Sequence, residues 1–227
     1  MQYFLDSAKL DEIDYAYHTF GIDGITTNPR HIMDSGKTFQ AAVTDIAQWI
    51  RKEGLEGAER FPVSVEIDPY IEDAREMVAA AEKIAAICGN FVIKIPCTPD
   101  GIAAARTLEK EGIRTNVTLI FSAAQAILPA KNGSLFVSPF IGWKEANGED
   151  CRQYISDIVQ IYKNYGFYGK TRIICAAVRT GKQIVDCAVA GADIVTAGLA
   201  VYRDTMVHPY TQQGMDIFRN AWDNTAK

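Results

Sequence analysis

Hydrophobic positions along this chain follow two patterns that alternate from end to end. Short apolar runs, typical of buried strands, are separated by longer segments whose apolar residues recur with helical spacing. The short runs predict strands near residues 3–6, 24–28, 62–67, 91–96, 115–120, 135–141, 172–178 and 193–196. Helical spacing covers residues 10–20, 39–53, 71–87, 102–111, 123–128, 149–165, 180–190 and 211–223.

This alternation predicts a closed barrel of parallel strands. About eight β-then-α units in a chain of single-domain size are typical of a (β/α)8 TIM barrel, here over residues 1–227 with an additional C-terminal helix. A doubly wound open sheet uses the same alternation but usually has a glycine-rich phosphate loop after its first strand. That position holds Asp6-Ser7-Ala8-Lys9 instead, which favours the barrel.

One charged residue interrupts an apolar run. Lys94 lies in Phe91-Val92-Ile93-Lys94-Ile95-Pro96-Cys97, which reads as a buried strand. Burial penalises an ammonium ion and favours the free amine. A free amine at a strand end is a nucleophile whose natural electrophile is a ketone or aldehyde carbon. The alternative is a lysine that extends its amine into solvent at the strand end.

Other polar residues fall near the C-terminal ends of the predicted strands, where a barrel carries its active site. Two of them are acids, Asp6 and Glu66, and the others are neutral hydrogen-bonding residues. A packed polar core of this kind is costly without a ligand, although a water-filled mouth without chemistry is the alternative. The candidate substrate-binding residues among them are Thr26, Asn28, Asn116 and Ser138, and Thr118 and Ser64 accompany them.

Together these residues suit Schiff-base aldol chemistry. Lys94 would attack a ketose carbonyl, and Glu66 would supply the proton needed to expel water, through a water held by Thr118. Asp6 would take the proton of the C4 hydroxyl when the carbon–carbon bond breaks. No cofactor is expected, because the protonated imine is itself the electron sink. The histidines His18, His31 and His208 lack ligand spacing, so we expect surface or loop positions and no metal site.

Composition limits the classes of partner that the protein can bind and indicates its cellular compartment. The formal net charge of −5 argues against nucleic acid or an anionic membrane as partner. No secretory signal or membrane-spanning stretch is apparent. The cysteine number is odd and CxxC spacing is absent, which favours reduced thiols in the cytoplasm. The five cysteines are Cys88, Cys97, Cys151, Cys175 and Cys187.

The chain resembles the transaldolase family, in particular its small transaldolase/fructose-6-phosphate aldolase subgroup. The resemblance runs from Leu5-Asp6 to the C-terminal helix. The motifs that carry it are Gly24-Ile25-Thr26-Thr27-Asn28-Pro29, Phe91-Val92-Ile93-Lys94-Ile95-Pro96, Thr115-Asn116-Val117-Thr118-Leu119-Ile120-Phe121-Ser122, Val137-Ser138-Pro139-Phe140-Ile141-Gly142 and His208-Pro209.

The resemblance implies a role for each matching residue. It makes Lys94 the imine-forming lysine and Asp6 the acid/base for carbon–carbon cleavage, with Glu66 and Thr118 holding the catalytic water. Asn28, Asn116 and Ser138 would bind the dihydroxyacetone portion of the sugar. Aldolases of the subgroup carry Gln where this chain has Glu66, so a transferase is expected. Members assemble as rings, often decamers, with the C-terminal helix reaching a neighbour. Residues 211–227 would do the same here, and the alternative is an amphipathic terminal helix packed on its own barrel.

The departures from the family pattern lie at one end of the substrate. Trp143 stands where the family has an arginine that grips the sugar phosphate, and Ala177 replaces a phosphate-binding serine. Arg179 keeps the family's cation, and Arg30 stands where serine is usual. Because each hydrogen bond to a charged group contributes about 1.5–3 kcal/mol, a phosphate would be poorly held.

A sulfonate, with a single negative charge, would tolerate the indole N–H of Trp143 beside Arg30 and Arg179. The predicted donor is therefore 6-deoxy-6-sulfofructose, releasing sulfolactaldehyde and passing the three-carbon unit to glyceraldehyde 3-phosphate. Three alternatives remain. In the first, Trp143 packs on the barrel rim while Arg30 restores phosphate binding in an ordinary sugar-phosphate transaldolase. In the second, the chain is a fructose-6-phosphate-type aldolase. A ligand-binding barrel without catalysis is a third.

Overall fold

A computed structural model describes residues 1–225, in which eight parallel strands close into a barrel in the order β1-β2-β3-β4-β5-β6-β7-β8. The strands are β1 (Gln2–Asp6), β2 (Gly24–Thr26), β3 (Val63–Glu66), β4 (Phe91–Pro96), β5 (Thr115–Ile120), β6 (Phe136–Pro139), β7 (Arg172–Val178) and β8 (Ile194–Ala197). The helices are α1 (Leu10–Phe20), α2 (Pro29–Asp34), α3 (Phe39–Lys52), α4 (Ala74–Ala85), α5 (Pro99–Lys110), α6 (Ala123–Lys131), α7 (Gly142–Glu145), α8 (Cys151–Tyr165), α9 (Gly181–Ala190), α10 (Leu199–Thr205) and α11 (Pro209–Asp223).

The predicted barrel is confirmed, and the differences are local. Strand β2 ends at Thr26 rather than at Asn28, because Asn28 caps the short helix α2 and Pro29 occupies its first turn. Proline is favoured there because its missing N–H needs no partner in the first turn. Helices α2, α7 and α10 were not expected from the pattern, since each is too short to show a helical period.

The barrel interior is filled from its N-terminal end by apolar side chains. These are Phe4, Val92, Phe136, Ile174 and Ile194. In a strand, residues two apart share a face. The residue two positions further along four of these strands is therefore also directed inward, and it is polar: Asp6, Lys94, Ser138 and Thr196. The apolar layer forms the floor on which the polar layer lies.

Gly24 is required by this interior packing. A Cβ atom at this position would lie 2.7 Å from the carbonyl oxygen of Pro62 and 2.8 Å from the Phe4 ring. Only glycine lets β2 approach so closely. The Phe4 ring therefore lies against bare backbone, one layer below Asp6.

The last helix is not covered by the barrel. Apart from half-buried Gly214, every residue from Met206 to Thr225 is exposed, including apolar Ile217, Phe218 and Trp222. The prediction for residues 211–227 extends to 226–227, which lie outside the described residues. Across residues 1–225, no helix combines the length and apolarity needed to cross a membrane.

Candidate active site

The C-terminal ends of the strands open into a cleft of about 440 Å³, within the usual range for small-molecule sites. Residues that line it include Asp6, Glu66, Lys94, Thr118, Trp143 and Arg179. A larger cavity of about 730 Å³ lies beside it, bounded by α2, α3 and α4 and largely apolar. We assign the site to the smaller cleft, because it contains the amine and both barrel carboxylates.

Lys94 reaches the cleft from the middle of the barrel. Its register partners are Glu66 on β3 and Asn116 on β5. The residue is only 4% exposed, and its Nζ lies 3.1 Å from Glu66 Oε2 and donates to the carbonyl oxygen of Thr27 at 3.2 Å. The amine is therefore sheltered from bulk solvent and has a proton acceptor in direct contact.

Asp6 lies across the cleft, held by donors on both carboxylate oxygens. Thr26 Oγ1 donates to Oδ1 at 2.7 Å, and His31 Nε2 lies 3.1 Å from Oδ2. Burial raises the pKa of the Asp6 carboxyl, but the hydrogen bond and charge of His31, the charge of Lys94 and the Thr26 hydrogen bond together hold it below its ordinary value. Asp6 is therefore a carboxylate at neutral pH and can accept a proton.

Neutral polar residues on β3, β5 and β6 lie beside Glu66 and Lys94 in the barrel interior. Asn116 Nδ2 donates to Ser64 Oγ at 2.9 Å, and Ser138 Oγ donates to Asn116 Oδ1 at 2.8 Å. All three residues are buried. These two hydrogen bonds fix the Asn116 carboxamide beside Lys94. Asn28 lies outside the strand at the start of α2, where its Oδ1 accepts from the His31 backbone N–H at 3.0 Å.

Thr118 is placed by an irregularity in β5. The register between β5 and β6 shifts between Val117 and Ile120, and Leu119 adopts a left-handed φ of 57°. Consecutive strand residues normally face opposite sides, yet Thr118 and Leu119 both line the cleft. Thr118 Oγ1 is buried and has no hydrogen-bond partner among residues 1–225. An unpaired buried hydroxyl is costly, so this atom suits contact with substrate or a bound water.

A matching irregularity shapes the rim at β7. Ala177 has a φ of 56°, and the register with β8 shifts between Cys175 and Val178. Gly142, at the start of α7, packs against this bend, since a Cβ atom there would lie 2.3 Å from the Ala177 carbonyl oxygen. Such bulges redirect side chains near active sites. Here the close approach brings α7, which carries Trp143, against the strand end that carries Arg179.

Trp143 both packs on the rim and faces the cleft. Its ring stacks on Phe121 with centroids 5.8 Å apart and contacts Phe140 edge-on at 5.4 Å. Half of the residue remains exposed, and it lines the cleft together with Arg30 and Arg179. Arg30 is mostly exposed, with its Nε 3.8 Å from Asp34 Oδ2. The structure therefore brings together the rim residues expected from the sequence.

His31 is the main residue that the sequence interpretation missed. The expectation of a surface or loop position is wrong for it, because it lies on α2 with its ring 24% exposed and in contact with Asp6. His18 and His208 are exposed, as expected. Thr196 was also missed, although its Oγ1 lies 2.6 Å from Thr26 Oγ1. Its position two residues after inward-facing Ile194 was the available signal.

A three-residue group with metal-ligand side chains lies outside the cleft. Asp14, His18 and Glu53 lie close together on α1 and at the end of α3. His18 is exposed, and its ring is already within ion-pair distance of both carboxylates, at 3.7 Å and 3.5 Å. We assign this group to surface electrostatics.

Comparison with known proteins agrees with the chemistry of the cleft. A family model described as Transaldolase/Fructose-6-phosphate aldolase matches residues 3–227. The chain is 56% identical over 225 residues to a 6-deoxy-6-sulfo-D-fructose transaldolase from Priestia aryabhattai, covering 99% of this chain and 96% of that protein. It is 39% identical over 227 residues to a probable transaldolase from Geobacter metallireducens, covering 100% of both.

A solved structure supports the barrel alone. The 3-hexulose-6-phosphate synthase from Salmonella typhimurium aligns with a TM-score of 0.55, covering 89% of this chain and 91% of that chain at 18% identity. At this identity the likeness concerns only the fold.

Proposed function

The chain belongs to the transaldolase/fructose-6-phosphate aldolase family, and from this membership we propose that it is a Schiff-base transaldolase. It transfers a dihydroxyacetone unit from 6-deoxy-6-sulfofructose to an aldehyde acceptor such as glyceraldehyde 3-phosphate. The observation that carries this proposal is the buried Lys94 amine, 3.1 Å from Glu66 and in the same cleft as Asp6. The reaction needs no cofactor and no metal.

The first half of the reaction forms the imine. The Lys94 ammonium gives a proton to Glu66, and the free amine adds to the ketone carbon C2. Glu66 then returns a proton to the carbinolamine hydroxyl, which leaves as water. Thr118 Oγ1, buried and unpaired within the described chain, supports this step by holding the water through which the proton moves.

The second half breaks and remakes a carbon–carbon bond. Asp6 takes the C4 hydroxyl proton, the C3–C4 electron pair moves into the iminium to form an enamine, and the sulfolactaldehyde leaves. The enamine then attacks the acceptor carbonyl, and Asp6 returns the proton to the new hydroxyl. Water releases the product ketose from Lys94. Asn116 and Ser138, fixed by their mutual hydrogen bond, suit the hydroxyl groups of the retained three-carbon unit, as does Asn28.

The rim favours a terminal sulfonate. Two cations, Arg30 and Arg179, line the rim, and Trp143 lies there with them. A sulfonate carries one negative charge and its oxygens are weak acceptors, so two cations and an indole N–H satisfy it. A phosphate monoester carries close to two charges at neutral pH and needs more charged donors. The name of the Priestia relative, which specifies a sulfosugar, supports the same choice.

A transfer assay tests the proposed function. Sulfofructose and glyceraldehyde 3-phosphate are incubated with the protein, and both expected products, sulfolactaldehyde and fructose 6-phosphate, are quantified. We expect both to form in equal amounts, with little aldehyde released when the acceptor is omitted. Stoichiometric free dihydroxyacetone without an acceptor would identify a lyase instead. Transfer from fructose 6-phosphate to glyceraldehyde 3-phosphate regenerates the same two compounds, so the two donors are compared with a different aldehyde acceptor. A strong preference for fructose 6-phosphate over sulfofructose in that comparison would contradict the sulfonate assignment.

We also place this enzyme in the cytoplasm, as a homo-oligomer with small-molecule sugars as its partners. All five cysteines have free thiols, which suits a reducing compartment. The oligomer proposal rests on α11, whose apolar residues Ile217, Phe218 and Trp222 are more than half exposed. Exposed apolar faces of this kind mark interaction surfaces. The occupant we assign to this face is a second copy of the chain, and a ring of up to ten copies is the expected assembly.

Replacing Phe218 by glutamate should weaken this assembly. Burial of a phenylalanine side chain contributes about 1.5–3 kcal/mol, so the concentration at which the assembly dissociates should rise by at least about tenfold. Light scattering after size-exclusion chromatography measures the change. Gln212→Glu, on the polar side of α11 that carries Asp216 and Arg219, is the control and should keep the wild-type mass. A wild-type mass of 25.0 kDa, that of one chain, would contradict the proposal.

A further inference from the structure

His31 lies against the carboxylate to which we assign proton transfer. It is on the first turn of α2, where the Asn28 side chain caps its backbone N–H at 3.0 Å. Its Nε2 lies 3.1 Å from Asp6 Oδ2, and both side chains are largely buried. Two elements distant in sequence, β1 and α2, therefore meet through this contact at the mouth of the barrel.

The chemistry of the pair fixes the direction of the hydrogen bond. An ionised carboxylate can only accept, so the His31 Nε2 must carry the hydrogen. Thr26 Oγ1 donates to the other oxygen, Oδ1, at 2.7 Å. Its hydrogen is thereby used, so Thr196, 2.6 Å away, donates to Thr26. Donors on both oxygens fix the rotation of the carboxylate plane.

This arrangement leaves Asp6 able to react. Each carboxylate oxygen has two lone pairs, so one donor on each oxygen leaves positions for the substrate hydroxyl. A carboxylate held on one side only by Thr26 could rotate about its terminal torsion, which is intrinsically broad. The contact with His31 removes that freedom at the oxygen nearest α2.

We propose that His31 is a positioning residue for Asp6, holding the carboxylate in the orientation that takes the C4 hydroxyl proton during carbon–carbon cleavage. The inference rests on the proposed Schiff-base function. No proton is gained or lost over the reaction. The hydroxyl proton moves to Asp6 and then returns to the product hydroxyl, while the His31 hydrogen stays on Nε2 throughout. Imine formation at Lys94, which uses Glu66, does not depend on His31.

The separation of the two steps makes the proposal testable. In His31→Leu the donor is lost, whereas in His31→Gln the side-chain amide N–H can still donate to Asp6. We measure sulfolactaldehyde release in a single turnover, and in parallel the fraction of protein carrying a ketose adduct after borohydride reduction. His18→Leu is the matched control, because His18 also contacts carboxylates but lies outside the cleft.

We expect His31→Leu to slow aldehyde release by about 10-fold to 100-fold, the scale of a misplaced catalytic group, with kcat reduced more than KM is raised. The fraction of His31→Leu protein that carries a ketose adduct after borohydride reduction should stay at the wild-type level. His31→Gln should recover most of the rate of carbon–carbon cleavage. The proposal would be overturned if His31→Leu released sulfolactaldehyde at the wild-type rate. It would also be overturned by equal loss of trapping and cleavage in His31→Leu, or by a His31→Gln variant as slow as His31→Leu.

Failure of the underlying function gives a different result. If the wild-type protein forms no borohydride-trapped adduct with sulfofructose, the Schiff-base assignment itself fails. If the wild-type protein is trapped and only the His31 variants behave otherwise than expected, the role of His31 alone is wrong. Thermal unfolding of each variant shows whether α2 and the barrel remain folded.

Discussion

Replacement of Lys94 by alanine is expected to reduce transfer from sulfofructose by at least about 10³-fold, the scale seen when a covalent nucleophile is removed. Lys94 is the amine that the structure buries beside Glu66 at 3.1 Å. Without it, neither imine nor enamine can form, so the remaining cleft can bind the sugar but cannot cleave it. Initial rates with saturating glyceraldehyde 3-phosphate measure the loss.

Two further variants separate chemistry from folding. Lys94→Arg keeps a cation beside Glu66, but a guanidinium stays protonated and does not form an imine, so its activity should be as low as that of Lys94→Ala. Lys110→Ala, at an exposed position on α5, should transfer at the wild-type rate. Appreciable turnover by Lys94→Arg would show that the covalent step is assigned to the wrong residue.

Replacement of Trp143 by arginine should change substrate preference from the sulfosugar towards the phosphosugar. The new guanidinium would enter the rim beside Arg179, whose side chain lies against Gly142. A charge-assisted hydrogen bond contributes about 1.5–3 kcal/mol, which corresponds to a gain of about 10-fold to 100-fold in kcat/KM for fructose 6-phosphate, measured with an aldehyde acceptor other than glyceraldehyde 3-phosphate. The value for sulfofructose should fall, because the indole contact is lost.

Trp143→Phe is the matched control for this change. It keeps an aromatic ring to pack against Phe121 and Phe140 but removes the indole N–H and adds no charge. The kcat/KM for sulfofructose should then fall, as in Trp143→Arg, without a gain for fructose 6-phosphate. An unchanged preference in Trp143→Arg would mean that Trp143 only packs on the rim, and that the anion is selected elsewhere.

Most of the fold could be predicted from the sequence, because the hydrophobic period reports burial directly. Strands β4, β5 and β7 and helix α1 have the predicted boundaries. Lys94 could be recognised for the same reason: a charge within an apolar run stands out, and its register with Glu66 and Asn116 follows from neighbouring parallel strands. The alternation of faces likewise placed Asp6 and Ser138 at the mouth.

What could not be predicted depends on local backbone geometry and on contacts distant in sequence. The bends at Leu119 and Ala177 are left-handed conformations of ordinary residues, and no composition signal marks them. They bring consecutive side chains into the cleft and set the position of α7. His31 was missed because α2 is too short to show a period. Its role appears only when the fold brings it 3.1 Å from Asp6.

The covalent intermediate provides the most direct test of the central claim. Protein incubated with 6-deoxy-6-sulfofructose and reduced with borohydride is measured as the intact chain and then as peptides by mass spectrometry. We predict one sugar-derived adduct per chain, located on Lys94 and absent from Lys94→Arg. An unmodified mass during continued turnover, or an adduct on a different lysine, would contradict the account.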